Sequence, residues 1–257
     1  MVQVVPVAAV KYLLTPVILA AIWGAGYFFA GSNLVPSPLS VFHRLILILT
    51  DREAINNISV TVFRGVLSLV ITYIITVPAG IVCGLNRKVM ESISPLVTFS
   101  QGSPPVIWIS LLMIWTGMGN IVPVTVAVLT LIPVIFFSTA SAASSIDRNL
   151  YDVTKVFRVK RTGVLFGIIL PAILPSLSGS LSYALGVVWK VVATAEFFGS
   201  GNGIGARLYW SFRMLDIAGL FAWALVIIVI GFLIDSILLR VLRVRVSEFM
   251  EGRKWSA

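Results

Sequence analysis

IAGLFAWALVIIVIGFLI, residues 217–234, runs for eighteen residues without a charge. A helix rises ~1.5 Å per residue, and a hydrocarbon core of ~30 Å takes about twenty apolar residues to cross. The stretch therefore reads as a membrane span, and the rest of the chain agrees. Of 257 residues, 58% are hydrophobic and only 11% charged, with a mean hydropathy of +1.03. Soluble domains run nearer ~45–50% apolar and ~25% charged. Both departures point the same way and exclude a soluble globular enzyme. The low polarity also excludes a disordered chain. The expected fold is all-α, a polytopic membrane protein in a single transmembrane domain over 1–257.

Working outward from 217–234, apolar windows recur at about 12–30, 60–84, 94–117, 121–141, 172–197 and 217–239, which predicts six transmembrane helices. The first competes with a cleaved signal peptide, but its apolar core exceeds the ~7–15 residues of a signal core, so it reads as a retained span. Net charge is +9. In a membrane chain this excess reads as topology, because basic residues collect in cytoplasmic loops, and it does not call for nucleic acid. With the N-terminus inside, the inside segments hold Lys11, Arg87, Lys88, Arg148, Lys155, Arg158, Lys160, Arg161, Arg240, Arg243, Arg245, Arg253 and Lys254. The outside segments hold only Arg44, Arg52, Arg207 and Arg213, while Arg64 and Lys190 fall in or at the edge of spans. Thirteen against four places both termini in the cytoplasm, with 240–257 as a basic tail suited to acidic lipids. The lone Cys83 cannot form an intrachain disulfide, and with one histidine, His43, a metal site has no ligand set.

The window over 94–117 is interrupted by Pro104–Pro105. Proline removes a helix hydrogen bond, and irregular backbone at membrane depth survives only beside protein or a water-filled cavity. It reads either as a broken helix lining a pathway, with Gln101, Ser103, Pro104 and Trp108 along it, or as a short re-entrant or interfacial turn. Between the first two windows, PSPLSVFHRLILILTDREAINN reads as an interfacial helix with His43 at headgroup level. Within the fifth window, Lys190 and Glu196 are six apart and do not share a face closely. Ionisable groups inside a bundle are functional suspects. Lys190 either attracts an anionic solute, snorkels to the headgroups or pairs with a neighbouring acid. Glu196, grouped with these pathway candidates, reads more readily as a cap or brace for the turn GSGNGIG. Asp235 ends the last window beside basic neighbours or water.

The segment SSIDRNLYDVTKVFRVKRTGVLFGIILPAILP, 144–175, departs most from its surroundings. Asp147 or Asn149 can cap a helix. Leu150, Val153, Val156 and Phe157 then recur at three- and four-residue spacing, with Arg148, Asp152, Lys155 and Arg158 on the other faces and Asp152 placed to pair with Lys155. Spacing alone leaves two readings open: an amphipathic helix docked on a partner, or one lying on the membrane surface.

This segment resembles the signature (EAA) loop of permease subunits of binding-protein-dependent ATP-binding-cassette importers, and is most similar to the nitrate/sulfonate/taurine/bicarbonate branch. The matching positions are Asp152, Val153, Thr154, Lys155, Val156, Phe157 and Arg158, closed by Leu170–Pro171. VPSPLSVF at 35–42, SPPVIWISLLMIWTGMG at 103–119 and AEFFGSGNGIG at 195–205 resemble the same branch in the same order. Two positions depart: Asp152 stands where the branch usually has Glu, and Arg158 where it has a glycine. An arginine there implies either a continued helix or a turn displaced toward Gly163. The resemblance implies a type I importer permease in a bacterial or archaeal plasma membrane. It implies a second permease subunit, identical or related, two cytoplasmic ATP-binding subunits and an external solute-binding protein. The loop over 144–171 would couple to the ATPase through Leu150, Asp152, Val153, Thr154, Lys155, Val156, Phe157, Arg158, Leu170 and Pro171. The chain carries no P-loop, so Mg-ATP would bind the partner, with no cofactor and no catalytic site here. The implied solute is a small anion or organosulfur compound, or in related importers a vitamin-like heterocycle. An ion-gradient transporter would instead require internal symmetry and acids at mid-span, and an intramembrane enzyme a nucleophile–base pair.

Overall fold

A computed structural model describes the backbone of residues 7–31 and 34–254 and the side chains of 17–29, 31, 34–147, 149–150 and 154–237. Among the described residues it is helical throughout, with no strand. The helices are α1 (Val7–Ala30), α2 (Pro38–Thr50), α3 (Arg52–Leu85), α4 (Arg87–Gly102), α5 (Pro105–Thr116) and α6 (Ile121–Ser144). They continue as α7 (Arg148–Val156), α8 (Arg161–Val164), α9 (Leu170–Gly199), α10 (Ile204–Arg213) and α11 (Ile217–Lys254).

Short polar side chains set the joints. Ser37 accepts from Ser40 N–H at 3.2 Å and starts α2, with Pro38 in the first turn where no amide is needed. Asp51 follows the last residue of α2 and caps α3, its carboxylate accepting from the Glu53 and Ala54 amides at 3.3 and 3.0 Å. Asn86 does the same for α4, accepting from Lys88 N–H at 3.1 Å.

Among the described residues, four helices are long and apolar enough to cross a membrane: Arg52–Leu85, Ile121–Ser144, Arg161–Gly199 and Ile217–Ile237. A fifth span is made if α4 and α5 count together, bent by 93° at the break before Pro105. The expected count of six is thus not reached among the described residues. The window over 12–30 coincides with α1, whose described apolar part, Val17–Phe29, is shorter than a crossing requires. The fifth expected window also begins earlier than expected. A π-turn over Leu165–Ile169 joins α8 to α9 in one continuous rod, with Pro171 in the first turn of α9 and Pro175 inside it. The wider ring of the π-turn seats Leu170 N–H on the Leu165 carbonyl.

Helix α6 is the centre, packed against α3 on one side and α9 on the other. Leu69, Leu131, Ile135, Leu185, Val188 and Val192 fill the space between them. Small groups bring the backbones close. A Cβ on Gly80 would lie 2.8 Å from Thr139 Cβ, and one on Gly84 would collide with the Ala140 carbonyl. In lipid the hydrophobic effect does not draw helices together, so close approach and hydrogen bonding must. A buried polar spine on α3, Asn57–Thr61–Arg64–Ser68–Thr72–Thr76, faces this contact. Tyr73 Oη lies 3.1 Å from Ser180 Oγ, and Ser138 Oγ 2.8 Å from Ser176 Oγ, linking α3 and α6 to α9. Val41, Ile48, Ile204, Ala222, Trp223 and Val226 form a second cluster joining α2, α10 and α11.

Candidate coupling and translocation sites

Helix α7 sits outside the bundle. Asp147 is its cap, accepting from Asn149 N–H at 2.9 Å while its carbonyl accepts from Leu150 N–H. Leu150, Val156 and Phe157 are exposed, the last two by 79% and 75%. Together they make an exposed apolar ridge along α7 and the residue that follows it. Thr154 is half-buried and Lys155 exposed, and both make interactions within the chain. The side chains of Asp152 and Val153, and with them the expected Asp152–Lys155 pair, lie outside the described residues.

The end of α7 corrects the expectation for Arg158. The helix neither continues nor defers its turn to Gly163, which lies inside α8. Arg158 itself takes the left-handed conformation, φ 48°. Arg158 N–H donates to the Lys155 carbonyl at 3.1 Å and Val159 N–H to the Thr154 carbonyl at 2.9 Å. This paired 5→2 and 6→1 closure is the Schellman stop that glycine ordinarily makes, so the turn keeps a glycine's geometry with an arginine in it. Leu170 and Pro171 are half-buried, with Leu170 packed against the Ile81–Ala143–Ile169–Ile173 cluster.

The pathway candidates separate into three places. Gln101 and Pro104 are exposed at the break between α4 and α5, and Ser103 Oγ donates to the Phe99 carbonyl at 2.9 Å. Trp108 is half-buried on α5, its Nε1 enclosed without a partner. Lys190 lies on the exposed face of α9, in a row with Gly179, Tyr183, Gly186, Thr194 and Phe198 at three- and four-residue spacing.

Glu196 belongs to the third place, on the enclosed side of the same helix. It is 0% exposed and Arg64 is 1% exposed. Arg64 Nη1 donates to Glu196 Oε1 at 2.7 Å, and Thr61 Oγ1 lies 2.8 Å from Oε2. The turn 200–205 closes over this pair. Gly205 N–H donates to Glu196 Oε2 at 3.0 Å, Ile204 N–H to Thr61 Oγ1 at 2.8 Å and Gly203 N–H to Asn57 Oδ1 at 2.7 Å. Arg64 also donates to the Asn202 carbonyl and Oδ1, to Ser200 Oγ and to Asn120 Oδ1. Gly203 is required by its φ of 103°, and any Cβ on Gly205 would run into the Ala193 carbonyl. One ion pair therefore ties α3, the start of α6, the end of α9 and the following turn. Sequence reasoning found Glu196 but missed Asn57, Thr61, Asn120, Ser200 and Asn202, and gave Arg64 no role. The signal was present in Asn57, Thr61 and Arg64, whose i, i+4, i+7 spacing puts three polar groups on one face of an otherwise apolar helix.

A bent span, a small-residue bundle held by a buried brace and an exposed amphipathic helix between two spans are the parts of a membrane transport subunit. The chain belongs to the family of binding-protein-dependent transport system inner membrane components, whose model matches residues 76–246. It is a permease subunit of an ATP-binding-cassette importer. It is 25% identical to the taurine transport system permease protein TauC of Escherichia coli K12 over 206 residues, 78% of this chain and 75% of the relative. It is also 25% identical to the bicarbonate transport system permease protein CmpB of Synechococcus elongatus over 218 residues, 80% of this chain and 78% of the relative. The fold is similar to that of the inward-facing methionine ABC transporter MetNI, with a TM-score of 0.63 at 15% identity, covering 74% of this chain and 94% of that one.

Proposed function

We propose that this permease pairs with a second permease subunit, identical or related, to enclose a pathway for a small anion or organosulfur solute. Two cytoplasmic ATP-binding subunits drive it, and an external solute-binding protein delivers the solute. The observation that carries this reading is the exposed apolar ridge of Leu150 and Val156 on α7 and Phe157 just after it. The ridge fits a cleft on an ATPase subunit, with Asp152, Val153, Thr154, Lys155 and Arg158 around it and Leu170–Pro171 anchoring the segment to the bundle. Mg-ATP is bound and hydrolysed in that partner. Both termini and α7 lie on the cytoplasmic side, as the distribution of basic residues supports. Gln101, Ser103, Pro104, Trp108 and Lys190 face the pathway, where the Lys190 ammonium draws the anion, while Glu196 holds the external turn. The relatives that carry taurine and bicarbonate in their names support the solute class.

The test is purification of the tagged chain from its native membrane. A co-purifying P-loop ATPase that is lost on Phe157→Asp, with the permease still folded, is the expected result. A chain that comes away alone, or an ATPase indifferent to Phe157→Asp, overturns the coupling role of α7.

A further inference from the structure

The turn after α7 holds more charge than its geometry needs. From Val153 to Ala195 the chain has no acidic residue, and four of its five bases, Lys155, Arg158, Lys160 and Arg161, fall within seven positions. All four are exposed. Arg158, Lys160 and Arg161 form no ion pair among the described residues, and the Arg158 guanidinium has no hydrogen bond there either.

Two ordinary causes explain only part of this cluster. A helix dipole favours a base in the last turn and fades beyond it, and Lys155 occupies that turn of α7. A cytoplasmic segment gains from a base wherever in the segment the base stands. Neither cause selects position 158, where φ is 48° and a glycine would make the same turn without steric cost. An unfavourable backbone conformation persists where another interaction repays it. Among the described residues nothing in the chain does so for Arg158.

Its neighbours indicate what would. Val156 and Phe157, 79% and 75% exposed, stand immediately before it. An apolar knob followed directly by a guanidinium fork matches an apolar depression with a carboxylate at its edge, because the fork binds a carboxylate through two parallel hydrogen bonds. An anionic membrane fits less well. Its attraction is summed over all the bases near it, so a base at an unstrained position would serve it equally. A carboxylate fixed on a protein surface rewards a cation at one position only.

We propose that Arg158 selects the ATPase partner: the cleft that receives the ridge carries an aspartate or glutamate at the edge facing this turn, and Lys160 and Arg161 lie along the same acidic rim. This rests on the coupling reading above and adds to it the chemistry of the partner's surface.

The test is dilution of the purified permease–ATPase complex in nanodiscs, with the intact fraction read by mass photometry. Loss of one charge-assisted contact predicts that the Arg158→Gly complex falls apart at about tenfold higher concentration than the wild type. The gap should close in about 1 M KCl, where charges are screened within ~3 Å, and Arg158→Lys should keep part of the affinity. A purely structural role predicts the reverse, since glycine eases the turn. Arg158→Gly that holds the ATPase as well as the wild type, or a loss that ignores salt, overturns the proposal. So does dissociation that follows the phosphatidylglycerol content of the disc and ignores Arg158→Gly, which assigns the bases to lipid. If Phe157→Asp alone breaks the complex, the ridge still couples and the proposal for Arg158 falls by itself. If neither substitution matters, the coupling reading falls with it.

Discussion

Arg158 and Leu215 are the described non-glycine residues with positive φ, at 48° and 56°. Both close a helix in the same way: Leu215 N–H donates to the Phe212 carbonyl and Asp216 N–H to the Ser211 carbonyl, matching the closure at Arg158. An L-residue held there costs roughly 1–2 kcal/mol relative to glycine. Arg158→Gly is therefore expected to steady the turn after α7 by about 1 kcal/mol, seen as roughly fivefold slower amide exchange at Val159. Unchanged exchange would mean that the arginine side chain compensates for its backbone. The brace at Glu196 acts in the opposite direction. Removing one member of an enclosed ion pair leaves the other charge stranded, at about 3–5 kcal/mol. Glu196→Gln should lower the thermal midpoint of the purified subunit sharply. Pairing it with Arg64→Met should restore part of the loss, because the stranded charge is gone.

Close packing, rather than apolar area, decides which glycines in the helices matter. Gly84→Leu would force α3 off the Ala140 carbonyl and is expected to cost at least ~1–3 kcal/mol, whereas Gly179→Ala meets nothing within 4 Å and should be neutral. Unfolding midpoints of the two variants in the same detergent check this, and equal effects would refute the packing account. The elements were legible where a local cue acts alone. The run 217–234, the Pro104 break and the stripe from Leu150 to Phe157 each declare themselves in a dozen residues. The reading failed where a cue is overridden by its surroundings. The apolar run marks the fifth window from residue 172, yet the π-turn over Leu165–Ile169 carries the helix in from Arg161, ahead of that run. It failed also where a role depends on a partner far along the chain. Asn57 and Asn120 look like ordinary polar residues until the turn 200–205 and Arg64 arrive beside them.

For the whole molecule, the proposed orientation predicts labelling from opposite sides of the membrane. In a Cys83→Ala background, cysteines at Lys88 and Lys160 should react with an impermeant thiol reagent only from the cytoplasm, and cysteines at Arg44 and Arg213 only from outside; reversed labelling would invert the topology. The Arg64–Glu196 pair also has a meaning for how the protein is made. The two residues are 132 positions apart in the chain. At ~5–20 residues per second, the ribosome delivers Glu196 about 7–26 seconds after Arg64. During that interval α3 carries a guanidinium into the bilayer with no carboxylate to meet it, a penalty of roughly 2.5–3.5 kcal/mol at mid-depth. The nascent α3 is therefore expected to be held less firmly until α9 is synthesised. A truncation that ends before residue 196 should be extracted from the membrane more readily than one that includes it.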